Sequence, residues 1–436
     1  MTFTRLLLAG TALAVWCASG LSEPARAAGP SSSALQIVQQ KATADQDLLS
    51  GAQMGKGQAS SAHDKVEEIY NAALALYQAG KFEEGLAKIG EENAIEGKSD
   101  AEQEAIDRLT FVLALHAEKS QIAQTLLDKL PGIADATKAA YLLELVRQYQ
   151  SRNEWDFALA GAKRYLAIGG GEVEKAQGVI WRGYYTLHDF PNALSASLET
   201  LATKEKNGTK PEEVLLKAIR TEAKQVNDAE HVTFALSKLA SYYPTPANWN
   251  DLIADTIGRP GFPKDPLAIE IFRLMRATDS LSKPVQYHDY MVLALQLGIP
   301  EEAKAVLELG TAKGALTPAD TPDLARLRDK VLADTDADQK ALPNSERDNA
   351  KSADGEPLVR SGLCYAALGQ YDKAIPLMEH GIAKGTPDQD LSRLRLGEVY
   401  LAAGLKDKAA ESLGAVRKPG AADLAKLWLV KSNQAG

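Results

Sequence analysis

Tyr365-Ala-Ala-Leu-Gly-Gln-Tyr-Asp-Lys-Ala-Ile375 is followed by Tyr400-Leu-Ala-Ala-Gly-Leu-Lys-Asp-Lys-Ala-Ala410. The two stretches stand 35 residues apart, from Gly369 to Gly404. Each reads as an apolar helix end, a glycine, a short polar turn and the start of a second helix. Glycine just past a helix end takes the left-handed conformation that closes the last turn. The same order recurs at 76–86 (Leu-Tyr-Gln-Ala-Gly-Lys-Phe-Glu-Glu-Gly-Leu), at 148–159 (Gln-Tyr-Gln-Ser-Arg-Asn-Glu-Trp-Asp-Phe-Ala-Leu) and at 294–304 (Ala-Leu-Gln-Leu-Gly-Ile-Pro-Glu-Glu-Ala-Lys). From Asp64 onward apolar residues recur at three and four, and no segment alternates like a strand.

These segments resemble tetratricopeptide repeats, helix–turn–helix units of about 34 residues. The family's signature falls on Leu358, Gly362, Tyr365, Ala374 and Met378, then on Leu396, Gly397, Tyr400, Ala409 and Leu413. The match is strong in this C-terminal pair, fair at 64–95, 140–168 and 285–313, and weak at 100–130, 172–204 and 211–243. The expected fold is an all-α, tetratricopeptide-repeat-like solenoid of antiparallel helix pairs. Such a body grows by stacking, so its 436 residues need not divide into the two to four domains that length alone suggests.

The chain ends of this reading are less regular. Residues 1–27 have the form of an export leader: Arg5, an apolar run from Leu6 to Val15, Pro24, and Ala25-Arg26-Ala27 before the expected cleavage. That predicts a periplasmic or secreted protein starting at Ala28, with no transmembrane span after cleavage. Cys17 leaves with the leader, so Cys364 remains without an internal disulfide partner and reads as a small buried hydrophobe. Residues 28–60 are expected to be flexible. A helical-repeat body is predicted over 61–332, interrupted by a Pro/Gly-rich break at 242–284. An acidic, solvated linker is predicted over 333–356, and a detached C-terminal repeat pair with a capping helix over 357–436. The chain as a whole resembles exported tetratricopeptide-repeat proteins of Gram-negative bacteria.

Chemistry-bearing motifs are scarce. The net charge of −9 argues against a phosphate-backbone partner, so no nucleic acid is expected. Six scattered histidines have no metal-binding spacing. Gly97-Lys98-Ser99 lacks the upstream glycine of a phosphate loop, and Asp334-Thr-Asp336-Ala-Asp338 lacks the glycine and glutamate of a calcium loop. The reading is therefore non-catalytic, with no cofactor and no metal.

What the resemblance implies instead is a binding face. In the family the first helix of each pair lines a concave groove. Residue by residue, this points to Tyr70, Leu74, Tyr77, Leu143, Arg147, Arg182, Tyr185, Leu394 and Leu401, with Val359, Leu363, Leu391 and Glu398 in the same register. Val359 and Leu363 in one C-terminal repeat, and Leu394 and Glu398 in the next, exclude the family's Lys/Asn clamp for chaperone tails. The expected function is a scaffold or adaptor for protein partners, envelope proteins or peptide segments, in a bacterial envelope. A rival reading is a glycan- or peptidoglycan-associated protein that stacks sugars on Tyr184, Tyr185, Tyr242, Tyr243 and Trp249.

Overall fold

The computed structural model describes residues 43–50, 61–317 and 322–434. The leader at 1–27 lies outside the described residues, as do 28–42 and 51–60 of the segment expected to be flexible. The described residues are helical almost throughout and contain no strand. No helix among them is long and apolar enough to cross a membrane. The chain divides into two compact units, Met1–Arg152 and Asn153–Gly436.

The first unit holds α1 (43–50), α2 (Ser61–Gln78), α3 (Phe82–Ile89), α4 (Asp100–His116), α5 (Ser120–Lys129) and α6 (Asp135–Ser151). Helices α2 and α3 pack as one hairpin, α4 and α5 as the next, and α6 follows on α5. Gly97-Lys98-Ser99 turns out to start α4. Ser99 Oγ accepts from the Glu102 amide, while the Glu102 carboxylate accepts from the Ser99 amide at 2.7 Å. This reciprocal cap satisfies two of the free amides at the helix start.

The second unit continues the repeat with α7 (Trp155–Ala167), then α8 (Val173–Thr186) with α9 (Phe190–Lys206), and α10 (Glu213–Gln225) with α11 (Ala229–Tyr242). The Pro/Gly-rich stretch gives α12 (Pro246–Ile257) and α13 (Ala268–Ala277), two short helices around a loop, as its sequence suggests. After them come α14 (Pro284–Gln296) with α15 (Pro300–Ala312), and the long α16 (Pro322–Asn349). Helix α17 (Glu356–Ala367) pairs with α18 (Tyr371–Lys384), α19 (Gln389–Ala402) with α20 (Lys406–Gly414), and α21 (Ala421–Ser432) ends the chain.

The turns explain why some repeats were faint. Gly80, Gly298, Gly369 and Gly404 take positive φ just past a first helix, as their sequence predicts. At Glu118, Asn153, His188 and Asn227 the same left-handed corner is made by residues with side chains, at φ between 57° and 60°. The geometry persists where the glycine does not.

Two expectations are corrected. Residues 333–349 are not a solvated linker but the second part of α16, whose buried Leu324, Val331, Thr335 and Leu342 form one sparse stripe at spacings of seven, four and seven. The Thr335 hydroxyl also donates to the Pro300 carbonyl at 3.0 Å, tying the helix to α15. A few large side chains on one face suffice when the other face is charged. The acidic run Asp334–Asp338 thus lies on a helix and cannot wrap a calcium ion as a loop does.

Nor is the C-terminal pair detached. Helix α21 buries Leu424, Leu427 and Trp428, packs on α19 and α20 as a cap should, and also packs on α11 and α13. Gln434 Nε2 donates to the carbonyl of Ala240 at 2.9 Å, across 194 residues of sequence. One continuous apolar core runs from Trp181 to Trp428.

Helix contact within a repeat depends on missing side chains. A Cβ on Gly362 would lie 2.4 Å from Met378 Cγ and 2.8 Å from the Ala374 carbonyl oxygen, so α17 and α18 meet backbone to backbone there. Gly362→Ala is expected to cost about 1–3 kcal/mol in urea unfolding. Glu118→Gly, which relieves a left-handed residue, is expected to gain roughly 0.5–1 kcal/mol in the same measurement.

Candidate functional site

In the first unit the predicted face is occupied by the chain itself. Helix α1 lies against it and buries Ala44, Asp45 and Leu48. Asp45 is 2% exposed. Its carboxylate accepts from the Tyr77 hydroxyl at 3.2 Å (α2) and the Tyr141 hydroxyl at 3.1 Å (α6), and His116 Nε2 (α4) lies 2.7 Å away. Burial first, then the adjacent Asp45 charge, raises the Tyr77 and Tyr141 hydroxyls, so both remain donors. Phe82 stacks on the His116 ring at 4.7 Å and completes an aromatic wall. Arg108 Nη1 donates to the Leu48 carbonyl at 3.2 Å, so the segment is read through its backbone as well.

Of the residues singled out in this unit, Tyr70 is buried and Leu74 and Tyr77 are half-buried, in one cluster with Leu49 of α1. Leu143 is half-buried. Arg147 is exposed and forks onto Glu144, one turn earlier on α6. His116, Tyr141 and Arg108 were not foreseen. Their signal was present, since α4 is the first helix of a weakly matching repeat and α6 that of a fairly matching one.

The second unit carries a different kind of site. Arg273 of α13 forks onto Glu302 of α15, with Nε–Oε1 2.8 Å and Nη2–Oε2 2.6 Å, while its Nη1 donates to Glu270 at 2.8 Å. Glu270 also accepts from Arg395 of α19 at 2.9 Å, and Arg395 reaches Glu356 at the start of α17 at 3.1 Å. Tyr290 of α14 donates to Glu302 at 2.6 Å. Glu270 and Tyr290 are fully buried, and Arg273, Glu302 and Arg395 nearly so. Burial alone would raise Glu302, but Arg273 and then Arg276 outweigh it and hold the carboxyl at about 2. Glu398, beside them, has no such fork. Burial, then the Glu270 charge, pushes it well above the ordinary carboxyl range.

Beside this network is a cavity of about 570 Å³. Leu363, Ala366, Val399, Leu401 and the Trp428 ring give it apolar walls. Arg273, Arg276, Glu302 and Glu398 line one side, and Lys406 and Lys431 stand among the lining residues on α20 and α21. Leu401, predicted for the binding face, is here, with Leu363 and Glu398 of the same register. Leu394 is not; it is 0% exposed and only packs against its neighbours. Arg182 is exposed and lies over the Trp181 ring at 5.4 Å, while half-buried Tyr185 meets Phe190 edge-on at 6.0 Å. Neither Arg182 nor Tyr185 lines this cavity.

The aromatic residues proposed for sugar stacking are largely engaged. Trp249 is 1% exposed. Lys163 lies over the Tyr184 ring and Lys210 over the Tyr243 ring, while the Tyr242 hydroxyl donates to Glu205.

Glu301, Asp338 and Cys364 bring three metal-ligating atoms within 4.8 Å of one another, the sole such trio among the described residues. Burial pushes Glu301 up to about 7 and raises the Cys364 thiol. Glu301 is the second residue of α15, whose positive N-terminus disfavours a cation. Burial thus disfavours the charged forms of Glu301 and Cys364.

No protein-family model matches this chain, and no curated protein matches it. Solved structures do match. The yeast Tom70 structure is 9% identical, with 85% of this chain and 96% of that one covered, at a TM-score of 0.22. The P58(IPK) TPR domain is 14% identical, over 84% and 98%, at 0.20. The Cut9–Hcn1 heterotetramer of the APC/C is 16% identical, over 90% and 94%, at 0.20. At such scores the superpositions add nothing to what the helix pairs themselves display.

Two measurements check the electrostatics. Arg395→Ala leaves Glu270 buried with one cation fewer and is expected to cost about 3–5 kcal/mol in urea unfolding. Arg393→Ala, which breaks only the part-exposed pair with Asp390, should cost under about 1 kcal/mol. For pH, the buried Glu222 of α10 stands at about 7, raised by burial despite the Ser197 hydroxyl at 2.5 Å. A raised carboxyl stabilises fully below its unfolded value of 4.5 and loses that contribution as pH rises through 7. Glu222→Gln is therefore expected to stabilise by about 1–3 kcal/mol at pH 8 and to change little at pH 4.

Proposed function

We propose that this protein is a non-catalytic scaffold or adaptor that binds segments of other proteins on the first-helix face of its repeats, and that it works after export, in a bacterial cell envelope. The observation that carries the binding part is the seat of Asp45. A short acidic helix is held by side chains from three first helices, through its carboxylate, its backbone and its apolar residues together. Peptide recognition by helical repeats requires this combination: a buried anchor for specificity and apolar contact for affinity. The internal segment then serves as a built-in competitor, and a partner presenting an acidic residue beside apolar ones displaces it. The export part is supported by the leader-like residues 1–27.

The binding reading is tested with the whole chain and a labelled synthetic peptide of residues 43–50. Asp45→Asn frees the face, so the peptide should bind that variant about tenfold more tightly than the wild type in fluorescence anisotropy. Adding Tyr77→Phe and Tyr141→Phe should abolish the gain. Equal binding to all three proteins contradicts the reading. For the export part, N-terminal sequencing of the periplasmic fraction should begin at Ala28. Recovery of the protein only in the cytoplasm, with residues 1–27 still attached, contradicts it.

A further inference from the structure

We propose that the cavity between α13, α17, α19 and α21 binds a small amphipathic carboxylate, a hydrocarbon body carrying one anionic carboxyl group. The cavity is large enough for such a molecule, since pockets of about 300–1,000 Å³ hold small organic ligands. Its polar side is incompletely satisfied. Trp428 is 5% exposed, and its indole N–H is buried without an acceptor among the described residues. Glu398 likewise keeps one buried carboxyl oxygen without a partner. An unmet buried donor or acceptor costs about 1–3 kcal/mol, and a ligand group of the right sign removes that cost.

The sign follows from the charges. Arg273 is saturated by Glu270 and Glu302. Arg276 has no carboxylate within ion-pair distance among the described residues; it lies over the Tyr290 ring at 5.8 Å. Lys431 donates only to Gln434, at 3.4 Å, and Lys406 has no ion-pair partner among the described residues. Burial and the Glu270 charge both favour the neutral form of Glu398 over the carboxylate. Arg276 thus supplies a donor on this wall and Trp428 an indole N–H without an acceptor, while the Glu302 carboxylate that also acts on Arg276 is taken up by Arg273 and Tyr290. One guanidinium and one indole N–H suit the two oxygens of a planar carboxylate. The Leu363, Ala366, Val399 and Leu401 walls then take the hydrocarbon.

This site is independent of the face that holds α1, so either can fail alone. The test uses the full chain in isothermal titration calorimetry with octanoate and phenylpropionate as probes, and octanamide and phenylpropionamide as neutral controls. The acids should bind at least about tenfold more tightly than the amides. Arg276→Gln should weaken octanoate about tenfold or more, and Trp428→Phe, which keeps an aromatic ring but removes the N–H with the five-membered ring, about threefold to tenfold. Lys426→Gln, on the exposed side of α21, should leave binding unchanged. Unaltered near-ultraviolet circular dichroism excludes misfolding as the cause. Absence of binding at millimolar acid, amides binding as tightly as acids, or full affinity in Arg276→Gln would each overturn the proposal.

Discussion

Arg273 stands one turn after Glu270 on α13, forks onto Glu302 of α15, and shares Glu270 with Arg395 of α19. These four bonds join helices that lie up to 125 residues apart in sequence. Removing such charges from water is costly, and their mutual attraction offsets that cost only when every partner is in place. The arrangement is therefore less a source of stability than a constraint on which helices can meet. An α19 shifted along its axis would leave Arg395 buried without Glu270, and Glu270 with one cation fewer. Apolar packing alone tolerates such shifts more readily.

The same constraint shapes the cavity. Arg273 and Glu302 neutralise each other on its wall, whereas Arg276, over the Tyr290 ring, has no carboxylate within ion-pair distance among the described residues, and the Trp428 N–H has no acceptor among them. The structural charges are spent internally, while Arg276 and Trp428 stand among the residues lining the cavity. In the first unit the logic is reversed. There the buried carboxylate, Asp45, belongs to the bound segment, and the face supplies neutral hydroxyls and one imidazole. The two tyrosine hydroxyls carry no charge of their own to desolvate.

How much of this lay open in the sequence depends on which residues carried it. Helix pairs were legible wherever glycine marked the left-handed corner, as at Gly369 and Gly404. At Glu118 and His188 the corner is the same, but a side chain stands on it, and local pattern gives no sign. Helix α16 was misread because its apolar residues are few; one stripe spread over 28 residues looks like a linker when only composition is weighed. Pro343, inside it, deepened that impression. The charge network was invisible for a different reason. Glu270 and Arg273 at i and i+3 look like any surface pair, and nothing local says that Arg395 will cover them. Of the residues placed by register, Tyr77 lies against α1 and Leu401 lines the cavity, whereas Leu394 is buried among its neighbours.

The central claim is that α13, α15 and α19 form one cooperative body, with the C-terminal repeats bound into it. Native-state amide hydrogen exchange of the wild-type chain tests this without any substitution. Core amides of α13 and α19 are predicted to exchange through the same opening, with equal free energies and equal denaturant dependence. If the amides of α17 to α21 exchange together at a clearly lower free energy while α13 and α15 stay protected, the C-terminal repeats are a separate appendage and the account is wrong.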